Sequence, residues 1–169
     1  MADALSGMRL LLAAVMPWLL VRGGVWPLLV WCLAAASDYV DGPLARRRGT
    51  SSLRGAVLDN VADIAFVMVG LTTAGALLLI PWLVPVSIAL SAGLYAAASM
   101  WSHAPGALAR SRVGHWAGVL NYACLGLVTG AIAWPGSAWR PILAVTSAIT
   151  AGINLAAVAS RIATARRLR

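Results

Sequence analysis

Six long apolar stretches, at roughly residues 7–22, 25–45, 53–80, 82–102, 115–134 and 141–163, fill nearly all of this 169-residue chain. An α-helix rises about 1.5 Å per residue and a bilayer's hydrocarbon core is about 30 Å thick, so stretches of this size are read as membrane spans. In lipid the backbone must satisfy its own N–H and C=O groups, which a helix does within one segment. The fold class expected is therefore all-α: an integral membrane bundle of six transmembrane helices, forming a single domain over residues 1–169. The breaks carry turn or helix-end residues, namely Arg22-Gly23-Gly24, Gly49-Thr50-Ser51-Ser52, Ile80-Pro81, Pro105-Gly106 and Trp134-Pro135-Gly136. Loops this short make neighbouring helices antiparallel.

Charge placement orients the bundle. Six crossings put both termini on one side. Arg9, Arg46, Arg47, Arg48, Arg54, Arg110, Arg112, Arg161, Arg166, Arg167 and Arg169 then share one face, against Arg22 and Arg140 on the other. By the positive-inside rule the eleven are cytoplasmic, and so are both termini. A bacterial inner membrane with the site facing the cytoplasm is the expected location. Trp26, Trp82, Trp134 and Trp139 fall at outer ends of stretches and Trp101 and Trp116 at inner ends, as interface anchors do. The first stretch is expected to be a mature helix rather than a signal peptide, because Asp3 precedes its nearest arginine and no small-x-small cleavage site directly follows it.

Composition narrows the partners. All 13 basic residues are arginine and all 5 acidic ones aspartate, and 61% of the chain is hydrophobic, far from the balance of a soluble protein. The net charge of +8 is not arranged as a nucleic-acid stripe, because the arginines fall between apolar runs. Anionic membrane lipids and phosphorylated substrates fit better, and no nucleic-acid partner is expected. Cys32 and Cys124 have no ligand or redox spacing and read as small core residues.

Four of the five acids fall within 26 positions, from Asp38 to Asp63. Asp38 and Asp41 are three apart and Asp59 and Asp63 four apart, so on helices each pair projects from one face. If the two helices pack side by side, the four carboxylates converge. Crowded in a low-dielectric site they would repel and take up protons unless cations were present. An all-oxygen donor set favours hard ions, Mg²⁺ or Mn²⁺, over Zn²⁺; the quartet could hold one ion or two, and two are expected. Gly42, Ala45 and Gly55 border the carboxylates and leave room for a ligand. The plainer alternative is structural ion pairing of the aspartates with Arg46, Arg47, Arg48 or Arg54, which does not by itself require small residues at fixed offsets.

These residues spell D-x-x-D-G-x-x-A-R-x8-G-x3-D-x3-D, with Asp38, Asp41, Gly42, Ala45, Arg46, Gly55, Asp59 and Asp63 at its eight fixed positions. The chain thereby resembles the CDP-alcohol phosphatidyltransferase family. The resemblance implies that an acceptor alcohol attacks the lipid-side phosphorus of a CDP-lipid, such as CDP-diacylglycerol, and releases CMP in phospholipid synthesis. It implies Asp38, Asp41 and Asp59 as metal ligands, and Asp63 as the catalytic general base that also touches metal. Asp38, Gly42, Ala45, Gly55 and Asp59 would line the nucleotide pocket, with Arg46 near the diphosphate. A homodimer is implied on the same ground. Pro43 stands at a position the family leaves open, where it either bends the second helix or marks its exit from the bilayer, the latter being favoured.

The acceptor is less explicit. The glycerol-phosphate branch usually has proline after the third aspartate and lysine after the fourth, where this chain has Asn60 and Ile64. Arg110 and Arg112 are the candidate acceptor-binding cations, because arginine suits bidentate phosphate recognition, although orientation-setting charge explains them equally well. His103 and His115 nearby lack ligand-like spacing. Glycerol 3-phosphate is the expected acceptor, with inositol phosphate, serine or a lipid alcohol as alternatives. Two other classes stay in view: an intramembrane prenyltransferase, which would release pyrophosphate, and a metal transporter, whose acids would be spread across several segments at mid-bilayer depth.

Overall fold

The computed structural model describes residues 2–48, 53–101 and 112–167, and side-chain surroundings at 7–37, 58–97 and 112–164. Six helices account for nearly all of them: α1 (Ala2–Arg22), α2 (Trp26–Arg48), α3 (Leu53–Ala76), α4 (Leu83–Trp101), α5 (Arg112–Ala133) and α6 (Trp139–Arg167). No strand occurs among the described residues. Pro43 does not end α2, which continues to Arg48.

Three helices are long and apolar enough to cross a membrane among the described residues: Leu58–Ala76, Arg112–Ala133 and Trp139–Thr164. Trp26–Ser37 and Leu83–Ala97 are shorter apolar helical pieces. The outer surface is strongly apolar, with Leu11, Val21, Leu78 and Val145 each at least 60% exposed. A surface like that aggregates in water and is matched by lipid.

Helix α1 packs chiefly on α3 and also on α2; α2 lies on α5, α3 on α4 and α5, and α6 on α4 and α5. Met16 of α1, Phe66 and Leu71 of α3, Val84 of α4 and Leu125 and Val128 of α5 form a fully enclosed core. Small residues set the closest approaches. A Cβ on Gly126 would stand 2.6 Å from Cζ2 of Trp31, whose Nε1 donates to the Tyr122 carbonyl at 3.0 Å. Glycine therefore seats the indole of α2 directly on α5. Cys124 is buried as expected, whereas Cys32 is exposed on α2 and is not a core residue. In a bundle wrapped by lipid, an apolar residue needs no protein core to avoid water.

Two turns show how the ends are made. Gly23 and Gly24 both adopt positive φ, 76° and 78°, and Gly23 N–H donates to the Leu19 carbonyl at 2.9 Å, so α1 unwinds without steric penalty. The end of α3 uses the same device with a residue ill-suited to it. Leu78 sits at φ 58°, while Leu79 N–H reaches the Ala74 carbonyl and Leu78 N–H the Gly75 carbonyl, both at 3.0 Å. This is a Schellman closure with leucine where glycine is usual. It ends the helix at Ala76, short of the expected residue 80, although the apolar run goes on.

Polar ties are internal. Asn154 of α6 donates to Asn121 of α5 at 2.7 Å and to the Thr150 carbonyl at 2.8 Å, both asparagines being buried. Arg161 of α6 donates to the backbone carbonyl and, at 3.1 Å, to the hydroxyl of Ser91, and lies over the Tyr95 ring on α4.

Candidate functional site

Aspartates four residues apart on a helix share a face, and on α3 that face turns toward α1. There Arg9 meets both: its Nη1 donates to Oδ1 of Asp59 at 2.8 Å and to Oδ1 of Asp63 at 2.6 Å. Its Nε reaches the Ser37 hydroxyl of α2 at 3.4 Å, and that hydroxyl donates to the Ala34 carbonyl at 2.7 Å. One guanidinium thus joins three helices. Helix α1 supplies the cation, α3 two of the carboxylates, and α2 the serine that immediately precedes Asp38.

Exposure gives the arrangement a direction. The Arg9 side chain is 0% exposed, while those of Asp59 and Asp63 are 40% and 28% exposed. Each carboxylate is therefore held from the buried side and opens on the other. A guanidinium enclosed in an apolar helix pair needs such partners, because an unpaired charge there would cost several kcal/mol. The ion pairing considered for Arg46, Arg47, Arg48 and Arg54 is thus made, for Asp59 and Asp63, by Arg9. Sequence reasoning counted Arg9 only among the orienting charges. The signal was present: a lone cation in an apolar stretch demands an acid, and four of the chain's five acids lie in one motif.

The remaining motif residues are placed by backbone. Asp38, Asp41, Gly42, Ala45 and Arg46 lie on the last turns of α2 and Gly55 in the first turn of α3, and their side-chain surroundings lie outside the described residues. Among the described residues no group of three or more His, Cys, Asp or Glu side chains gathers to hold a metal. Asp59 and Asp63 are two oxygen-bearing groups on one open face, and their chemistry suits a hard divalent ion. Arg110 and His103 lie outside the described residues. Arg112 is exposed at the start of α5, and His115 is exposed with its ring edge-on to Trp116.

A cavity of about 330 Å³ lies elsewhere, between the first turns of α4 and the first half of α6, lined by Pro81, Val84, Ala144, Ser147, Ala151 and Gly152 among others. No charged side chain lines it, so it offers no means of holding a diphosphate.

Residues 1–159 match the sequence model of a family described as CDP-alcohol phosphatidyltransferase. A cardiolipin synthase (CMP-forming) from Streptomyces coelicolor is 41% identical over 80 residues, a stretch covering 41% of this chain and 37% of the relative. The chain thus spans little more than a third of the length of the curated relative it matches.

Proposed function

The chain belongs to the CDP-alcohol phosphatidyltransferase family, and from that premise we propose that it transfers a phosphatidyl group from a CDP-lipid to an acceptor alcohol and releases CMP. The observation that carries this reading is the pair Asp59 and Asp63, held on one face of α3 with their open sides outward, inside an eight-position motif matched at every fixed residue.

In this reading Asp38, Asp41, Asp59 and Asp63 hold Mg²⁺ or Mn²⁺. A divalent ion bound there neutralises charge on the diphosphate, which is the main need of phosphoryl transfer. The residues of the chain do the rest. Gly42, Ala45 and Gly55 would admit the nucleotide close to the backbone, with Arg46 near the diphosphate. Asp63 accepts the proton of the acceptor hydroxyl as its oxygen bonds to the lipid-side phosphorus and the bond to the CMP oxygen breaks. Asp63 suits this role because one of its oxygens is fixed by Arg9 and more than a quarter of its side chain is open to an incoming group.

For the acceptor we propose a lipid alcohol first and glycerol 3-phosphate second. Asn60 and Ile64 replace the proline and lysine usual in the glycerol-phosphate branch, and the curated relative is named for making cardiolipin. Arg110 and Arg112 would meet the acceptor's phosphate. Six spans with both termini cytoplasmic, eleven arginines on the inner face and a bacterial inner membrane complete the reading, with a homodimer as the expected assembly.

The test is CMP release by purified full-length protein with CDP-diacylglycerol and Mn²⁺, offered phosphatidylglycerol, glycerol 3-phosphate, inositol phosphate or serine. Release that requires one alcohol identifies the acceptor. If none of the four supports it, and a prenyl diphosphate yields pyrophosphate or sealed vesicles take up Mn²⁺, the reading fails.

A further inference from the structure

We infer that Arg9 is a positioning residue for this reaction: a permanent cation behind Asp59 and Asp63 that presents their open sides to the reacting groups. The inference rests on the proposed transferase reading. Each hydrogen of Nη1 is committed to a different carboxylate, at 2.8 and 2.6 Å. A guanidinium is planar, so its donor directions are fixed relative to one another, and so then are the two Oδ1 atoms. Nε on Ser37 stops the plane from turning. With Arg9 wholly buried and the aspartates 40% and 28% exposed, the cation lies on the inner side of both carboxylates, whose exposed parts face away from it.

Charge alone predicts a different role. A cation beside carboxylates weakens their hold on a metal ion, so an Arg9 that merely competed would, when removed, tighten metal binding. The burial argues against competition, because a guanidinium enclosed on every side and bonded to two other helices has nowhere to withdraw. Positioning dominates instead: groups that orient metal ligands typically contribute about 10- to 100-fold in metal affinity or activity.

The experiment compares the parent with Arg9→Met, Arg9→Lys and Ser37→Ala, all full length in nanodiscs. Mn²⁺ binding is read from the free-ion electron paramagnetic resonance signal, and kcat and KM for CDP-diacylglycerol from CMP release. Arg9→Met is expected to weaken Mn²⁺ binding by about 10-fold or more and to lower kcat by about 100-fold, with KM changing much less. Arg9→Lys, which keeps the charge but not the fork, recovers only part of both, and Ser37→Ala, which keeps the fork but frees its plane, loses about 2- to 5-fold in each. Unchanged or tighter Mn²⁺ binding in Arg9→Met overturns the inference. Should that variant not fold, parental Mn²⁺ affinity and kcat in both Arg9→Lys and Ser37→Ala overturn it equally. A parent that neither binds Mn²⁺ nor forms CMP removes the transferase reading itself, an outcome visible before any variant is compared.

Discussion

Replacing Asp63 by asparagine separates chemistry from architecture. Asparagine keeps an Oδ1 that can accept from Arg9 Nη1, so the contact at 2.6 Å survives while its charge is lost. A hydrogen bond to a charged acceptor contributes about 1.5–3 kcal/mol and a neutral one about 0.5–1.5, so about 1–1.5 kcal/mol is at stake. That figure is an upper bound, because Arg9 remains paired with Asp59 at 2.8 Å and the Asp63 side chain is partly open to solvent. If Asp63 is the proposed proton acceptor, its loss is far larger in its effect on rate. General-base removal typically lowers turnover by about 10²- to 10⁴-fold, or about 3–5 kcal/mol of barrier. Asp63→Asn is therefore expected to unfold in detergent within a few degrees of the parent and to bind CDP-diacylglycerol, yet to release almost no CMP. Turnover within about threefold of the parent would remove the base from Asp63, since that is far below the range such groups contribute. Loss of both fold and donor binding would show that the residue holds the bundle together rather than serving the reaction.

Other perturbations test neighbouring steps. Chelation with EDTA should abolish CMP release while leaving helicity by circular dichroism unchanged, because Arg9 keeps Asp59 and Asp63 paired without metal, and added Mn²⁺ should restore activity. Gly126→Ala should destabilise by about 1–3 kcal/mol in detergent unfolding, since the new Cβ meets an indole pinned by its own hydrogen bond. Gly70→Ala meets the end of the Leu125 side chain, which no hydrogen bond pins, and should cost less. Asn154→Leu strands the Asn121 amide among apolar residues and should cost about 1–3 kcal/mol, whereas the Asn121→Leu, Asn154→Leu double variant should recover part of it; a double variant as unstable as the sum would contradict the pairing. Leu78→Gly should raise the unfolding midpoint, as a left-handed leucine costs about 1–2 kcal/mol that glycine avoids.

Much of the architecture was legible in hydropathy. The breaks at Gly23-Gly24, Pro81 and Pro135-Gly136 all separate helices, because Gly23 and Gly24 supply positive φ and proline lacks a backbone donor, although Pro17 and Pro43 are carried inside helices. The end of α3 was not legible. Leu77, Leu78, Leu79 and Ile80 continue the apolar run after the helix has closed, and nothing in their hydrophobicity marks a left-handed residue. Apolarity also misled at Cys32, since an apolar segment in a lipid-facing bundle has an outside as apolar as its inside.

The acidic motif illustrates a different limit. The spacing of Asp59 and Asp63 specifies a shared helical face because helix geometry is local. Their partner is 50 and 54 residues away on another helix, where no spacing rule applies. What constrains it is charge balance: Arg9 is buried in the mainly apolar α1, and in lipid such a group persists only beside an acid. That requirement runs in both directions. The aspartates need a cation to lie together in low dielectric, and the arginine needs them to lie inside the bundle at all. In the proposed reading a divalent ion would be a second cation for these carboxylates, beside the one built into the chain at Arg9.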